Sequence, residues 1–257
     1  MKSIVLSFVV FCVFLTSLLS QEVELKIGAG LNSQGVIDKG YSPLRYDGLG
    51  YDTHLGLSYE KKNREVIWMA GIGQARLYSD FSRSMKTTAI SLINLTFYNQ
   101  KNESQKHKWG WSNNNTFHTR QIDDFLNYNG RTDYFTAFGP AWKYDHFFKI
   151  YKQSFRFETM AHIQLFGFYM PSSYVSSMPG GFGYENKSFL PALWSSSYLF
   201  LPGSAYNVGL YPSMKWQFSE NNHLSLLYRY EYTYFRQIHT SERSVGTWWL
   251  SLVVKLF

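Results

Sequence analysis

Cysteine is nearly absent from this chain, which holds one, Cys12, in 257 residues. It sits in an apolar run behind Phe11, a residue too bulky for a lipoprotein cleavage site, and reads as filler. Beyond it there is no thiol, which excludes disulfide stapling and thiolate metal sites. Blocks of like charge are missing as well. The 25 Lys and Arg outnumber the 18 Asp and Glu, yet they are scattered, and no basic run marks a nucleic-acid partner. Gly-x-Ser-x-Gly, a phosphate-cradling glycine loop, His-Glu-x-x-His and an EF-hand loop are all lacking. No cofactor and no metal are expected on that ground.

Long apolar runs are missing too, with one exception. Met1-Lys2 opens a stretch in which Ile4 to Leu19 is apolar apart from small hydroxyl residues, and Ser17-Leu18-Leu19-Ser20 prepares a cut ahead of Gln21. Residues 1–20 read as a secretory signal peptide, short of the roughly 20 apolar residues a membrane helix needs. Residues 21–257 are then expected to form one domain that contains no membrane helix.

Aromatic rings and strict alternation are what the chain has in quantity. Aromatics make up 19% of it, with 20 Tyr and 21 Phe, a composition suited to a protein meeting two water–lipid boundaries. Val23, Leu25, Ile27, Ala29 and Leu31 alternate with Glu24, Lys26, Gly28 and Gly30. The pattern recurs at Tyr51–Tyr59, at Trp109–Phe117, at Tyr134–Tyr144 and at Phe155–Leu165. It is cleanest where Leu224, Leu226, Tyr228 and Tyr230 face away from Ser225, Arg229 and Glu231. Such period-2 runs predict strands, about ten of them, each about ten residues long or more, which suits tilted membrane-crossing strands better than soluble sheets. One run, 87–99, is apolar on both faces and has no readable phase. The stretch between the first two runs and the segment 169–205 read as long loops. The second is apolar and rich in Pro and Gly, so a lid over a mouth or a protein-partner surface is expected of it.

The last run, Thr247-Trp248-Trp249-Leu250-Ser251-Leu252-Val253-Val254-Lys255-Leu256-Phe257, ends on an aromatic. With the export segment at the other end, the chain resembles the bacterial outer-membrane β-barrel class, without matching one family within it. The resemblance implies an all-β fold, a transmembrane antiparallel up-and-down β-barrel of about ten strands with periplasmic termini and an outer loop at 169–205. It also implies an outer-membrane location, with membrane lipid and lipopolysaccharide as partners. Lys255 shares a face with Phe257, so the favoured phase turns Trp248, Leu250, Leu252, Val254 and Leu256 to lipid.

The opposite faces then carry Glu24, Lys26, Arg156, Glu158, Lys215, Arg229 and Glu231 into the lumen. Eight strands leave an interior just wide enough for side chains to fill it, so ten leave little free space, and buried charges there must be paired. A structural or narrow transport barrel with a constricted lumen follows. Two other readings stay open. Asp52-Thr53-His54 puts a carboxylate and an imidazole on one strand face. That spacing is similar to the Asp-x-His half of the omptin outer-membrane proteases, although no Asp-x-Asp accompanies it here. His223-Leu224-Ser225 is similar to the His-x-Ser of outer-membrane lipid hydrolases. The third reading is an accessory subunit that docks a larger complex through 169–205.

Overall fold

The computed structural model describes residues 22–256 apart from 41, 62, 99–105, 123–129, 171–196 and 237–239. Residues 1–20, Phe257 and most of 169–205 therefore lie outside the described residues. Twelve strands form one sheet. They are β1 Glu22–Asp38, β2 Ser42–Lys61, β3 Arg64–Tyr78, β4 Ser84–Tyr98, β5 His107–Ile122 and β6 Arg131–Ile150. There follow β7 Gln153–Gln164, β8 Phe166–Met170, β9 Tyr198–Phe200, β10 Ala205–Gln217, β11 Asn222–Phe235 and β12 Ser241–Lys255. Sequence neighbours pair antiparallel from β1 to β7 and from β10 to β12, β10 pairs with β7, β8 pairs with β6 and β9, and β12 pairs with β1 to close the ring. Closure leaves the ring with no free edge, so the strands find backbone partners on both sides, with a gap in the β10–β11 ladder at Tyr211 and Pro212, where proline has no N–H to give.

Ten staves make this ring. β7 and β8 are one stave broken at Leu165, where β6 pairing slips from Ala141↔His162 to Phe138↔Phe166. One extra residue on one strand is a β-bulge, and Leu165 donates its N–H to Phe138 O at 3.0 Å. β9 and β10 are likewise one stave interrupted by the turn at Leu201–Ser204, closed by Ser204 N–H to Leu201 O at 3.1 Å. The stagger is large. Perpendicular pairings followed once around from Glu22 return to β1 at Gln34, and such an offset accompanies strongly tilted strands.

The first long loop expected from sequence is absent. β1 and β2 continue into it and leave only residues 39–41 between them. The reason is in the residues, because Asn32, Gln34, Tyr46 and Gly48 keep alternating inward and outward neighbours although their outward partners turn polar. At the other loop, Tyr169 and Met170 belong to β8, and Tyr198–Phe200 pairs with it as β9.

Phase follows the expected alternation closely. Ile27, Leu31, Tyr51, Leu55, Trp68, Trp109, Trp111, Leu226, Leu250 and Leu252 face outward and are exposed. Tyr228 and Tyr230 share that face, and Trp248 does as well while Trp249 turns in. The undecided strand β4 resolves with Met85, Ala89, Ile93, Leu95 and Phe97 inward and Ile90, Leu92 and Tyr98 outward.

Candidate functional site: a plugged lumen and its mouth

Inward side chains stack in layers from the end that holds the termini, called here the near end, to the opposite, far end. The near-end layer is ionic. Lys143, with no exposed surface, donates to Glu65 at 2.5 Å and lies 2.8 Å from Glu158 and 3.6 Å from Asp145. Arg156 bridges Asp145 at 2.9 Å and Glu158 at 3.3 Å, and Lys215 reaches Glu158 at 3.4 Å and Glu24 at 3.6 Å. Lys108 adds a bond to Glu65 at 2.9 Å. Staves that are not neighbours meet here, because Glu65 on β3 and Lys143 on β6 stand three apart in the ring, as do Lys215 on β10 and Glu24 on β1. The network spans the lumen. Below it a vestibule of about 530 Å³ opens at the near end between Glu24, Lys108, Arg156, Lys215 and His223.

An apolar belt lies above this network. Ile67, Met69, Ile93, Leu95, Phe97, Ala141, Met160, Tyr211, Leu227 and Trp249 form one buried cluster drawn from seven staves. A lumen that conducts ions needs a polar, water-filled path, and this layer replaces it with packed side chains. A cavity of about 30 Å³ lies at the lower face of the belt, room for a couple of waters at roughly 10–15 Å³ each.

A polar layer follows. Arg229 donates to Glu231 at 2.5 Å, Tyr211 donates to the other oxygen of Glu231 at 2.5 Å, and the Arg229 guanidinium lies over the Trp249 ring at 5.3 Å. His162 Nε2 and Asn207 Oδ1 are 2.8 Å apart, and Asn207 donates to Thr233 at 2.7 Å. His54 lies tilted against Trp249 with ring centroids 4.1 Å apart, and its Nε2 lies 3.2 Å from Ser251 Oγ. Large rings fit because the facing strand supplies glycine. A side chain at Gly28 would collide with the His54 ring, and one at Gly209 with that of His162.

At the far end, Arg120 bridges Asp38 and Asp133, Tyr169 donates to Asp133 at 3.1 Å, and Arg131 comes within 4.0 Å of Asp38. Val36, Tyr46, Leu77, Met85 and Ile122 pack on one side of the mouth, and Phe135, Tyr169, Phe200 and Phe235 on the other.

Each residue singled out in the sequence has a definite place. Glu24, Arg156, Glu158 and Lys215 join the near-end network, whereas Arg229 and Glu231 form a separate pair beyond the belt. Lys26 faces the lumen, but among the described residues no carboxylate lies in ion-pair range of it. Asp52 and His54 both point inward and are buried. His54 meets Ser251 there, an imidazole beside a hydroxyl, both buried next to Trp249. His223 borders the vestibule and Ser225 is fully buried. Sequence reasoning missed Glu65, Lys108, Arg120 and Asp38, which sit at the rims of alternating runs. Among the described residues no cluster of three or more His, Cys, Asp and Glu is arranged to hold a metal ion.

No known protein family and no curated protein matches the sequence. Solved structures do match. The chain is similar to the outer membrane protease OmpT from Escherichia coli, with a TM-score of 0.55 at 6% identity over 91% of this chain and 97% of that one. It is also similar to Neisserial surface protein A (TM-score 0.39, 9% identity, 91% and 97% covered). A third match is Ail of Yersinia pestis (TM-score 0.34, 14% identity, 91% and 99% covered). Likeness at these identities is likeness of fold. The chain has the closed antiparallel architecture of the bacterial outer-membrane β-barrels.

Proposed function

We propose that this chain is an integral outer-membrane barrel of structural or surface-exposed role, whose lumen is held shut by its own side chains. The apolar belt around Trp249 carries the reading. A charge network alone leaves room for a narrow hydrated path between paired groups, whereas a belt of Leu, Ile, Met, Phe and Trp excludes water along with ions. In this reading residues 1–20 direct export, the near end faces the periplasm and the far mouth faces outward. The outward apolar band with its Tyr and Trp meets membrane lipid and lipopolysaccharide. The segment 169–205 serves at the outer mouth, as cover or as a protein-docking surface. An open pore is disfavoured by the belt. Hydrolysis at Asp52 and His54 is disfavoured by their enclosure.

Single-channel recording in planar bilayers tests this. The intact protein should give no large, steady openings. A Trp249→Ala, Phe97→Ala, Met69→Ala triple variant should conduct if it keeps the heat-dependent gel mobility of a folded barrel. Large steady channels from the intact barrel would overturn the proposal.

A further inference from the structure

We propose that the outward faces of β4 and β5 form an interface between two copies of this chain, lying side by side in the membrane and joined through the amides of Asn94, Asn113 and Asn115. This rests on the outward band being the wall that meets lipid. Along β4 the outward positions read Tyr98, Thr96, Asn94, Leu92 and Ile90, and along β5 they read Trp109, Trp111, Asn113, Asn115 and Phe117. Three amides and a hydroxyl therefore sit inside the apolar band, with rings or aliphatic side chains on either side of them along both strands. Register makes them one patch, because Asn94 stands opposite Asn113 and Leu92 opposite Asn115. On β2 and β7 the band holds isolated threonines, Thr53 and Thr159, and on β1 it runs unbroken from Leu25 to Leu31.

The patch is partly satisfied from within. Asn115 donates to Asn113 at 2.7 Å, Tyr134 donates to Asn115 at 3.0 Å, and Asn113 donates to the Ala137 carbonyl at 3.1 Å. Asn94 accepts from Thr96 at 3.3 Å, but among the described residues its own amide N–H groups meet no acceptor. Water supplies one at the rim of a membrane. Hydrocarbon does not, so a bare amide within the band is costly. A neighbour that brings its own acceptors removes that cost.

Chemistry then selects the neighbour. An amide carries donor and acceptor together, so the patch complements itself about a two-fold axis along the membrane normal, as contact between identical copies requires. None of these outward positions is charged, and two copies meet without like-charge repulsion. Trp109 and Trp111, each more than half exposed, flank the amides and add apolar contact area to a polar centre. A charged lipid headgroup finds no counter-charge here, and a bare acyl chain offers no acceptor.

Sedimentation velocity in detergent micelles and disulfide trapping in phosphatidylcholine vesicles test the interface on the full-length protein. The intact protein should form dimers, and Asn94→Leu should weaken them about tenfold or more. That variant should keep the heat-dependent gel mobility of a folded barrel, since leucine suits a wall in lipid. In a Cys12→Ser background, Leu92→Cys should cross-link to its own copy under mild oxidation. Leu250→Cys, on β12 across the ring from β5, should not. Should Asn94→Leu fail to fold, cross-linking still answers, because Leu92→Cys leaves every amide in place. A vesicle-inserted protein that stays monomeric, a dimer unchanged by Asn94→Leu, or equal cross-linking at Leu250→Cys would each overturn the proposal. Pairing with a different membrane protein in place of a second copy would overturn it as well. A chain that stays in solution without detergent would instead overturn the lipid-facing reading, and the interface with it, which keeps the two failures apart.

Discussion

At the scale of single residues the lumen is a set of reciprocal dependences. Arg229 and Glu231 sit two positions apart on β11 with Tyr211 as a third partner, so each charge is tolerable only while the other is present. Arg229→Met alone strands Glu231 in a packed interior and should cost about 3–5 kcal/mol. The double change Arg229→Met, Glu231→Gln should cost clearly less, because the desolvation penalty leaves with the pair. Urea unfolding in detergent, followed by tryptophan fluorescence, measures both, and equal losses would refute the dependence. These inward charges were legible because they alternate with rings and aliphatics along β1, β7, β10 and β11. The belt was not. Leu95 and Phe97 point inward while Leu92 and Ile90 point out, and a strand apolar on both faces carries no periodic signal to tell lumen from lipid.

At the scale of elements, the departures from regularity cluster around one stave. The extra residue at Leu165 ends pairing of that stave with β10 at Gln164↔Asn207 and lets β8 take β9 as its neighbour. The bulge therefore aims Tyr169 at Asp133 and brings Phe200 against Phe135 at 5.5 Å. Phe168 and Leu199 are register partners that both face outward. Cysteines at these two positions, in a chain whose only native cysteine is Cys12, should cross-link under mild oxidation, since register partners lie within disulfide reach. Deleting Leu165 should abolish the cross-link while the barrel persists. A bond that survives the deletion would mean the bulge does not set this pairing. No sequence signal announces the bulge, because Gln164-Leu165-Phe166 holds neither Gly nor Pro. Alternation simply changes phase there.

At the scale of the whole molecule, the strands outrun a membrane. β2 and β6 are 20 residues long, about twice the 9–11 a tilted crossing requires. The outward face records where the excess lies. Near-end and middle positions carry Leu25, Leu55, Trp68, Leu226 and Leu250, whereas Arg45, Asp47, Arg76, Lys86 and Glu242 occupy the outward positions towards the far end. Arg45 and Asp47 pair at 2.7 Å with both side chains more than half exposed, as suits a wall in water. Leu250→Arg should cost about 2–4 kcal/mol at mid-bilayer, and Ser244→Arg, six residues along the same face of β12, about 0–1. Equal costs in lipid-vesicle refolding would place the membrane elsewhere on the wall. Strand number and the orientation of most side chains could be read from alternation, and the closed ring from strand length and the resemblance, but how far the barrel extends beyond lipid could not, since a strand that leaves the bilayer keeps its period and loses only its greasy face.

The seam between β1 and β12 has a consequence in time. It pairs Glu24 with Lys255 and continues without a break to Asp38 and Ser241, so the two ends of the chain have to find one another before the ring exists. Loop-closure entropy is met before such distant contacts give anything back, which makes formation slow. The reverse passage is slower still, because no stave can peel away without opening a ladder on each of its sides and baring the layers they enclose. A protein built this way persists through the height of the barrier to its own opening, and once closed it should outlast the conditions under which it could have assembled.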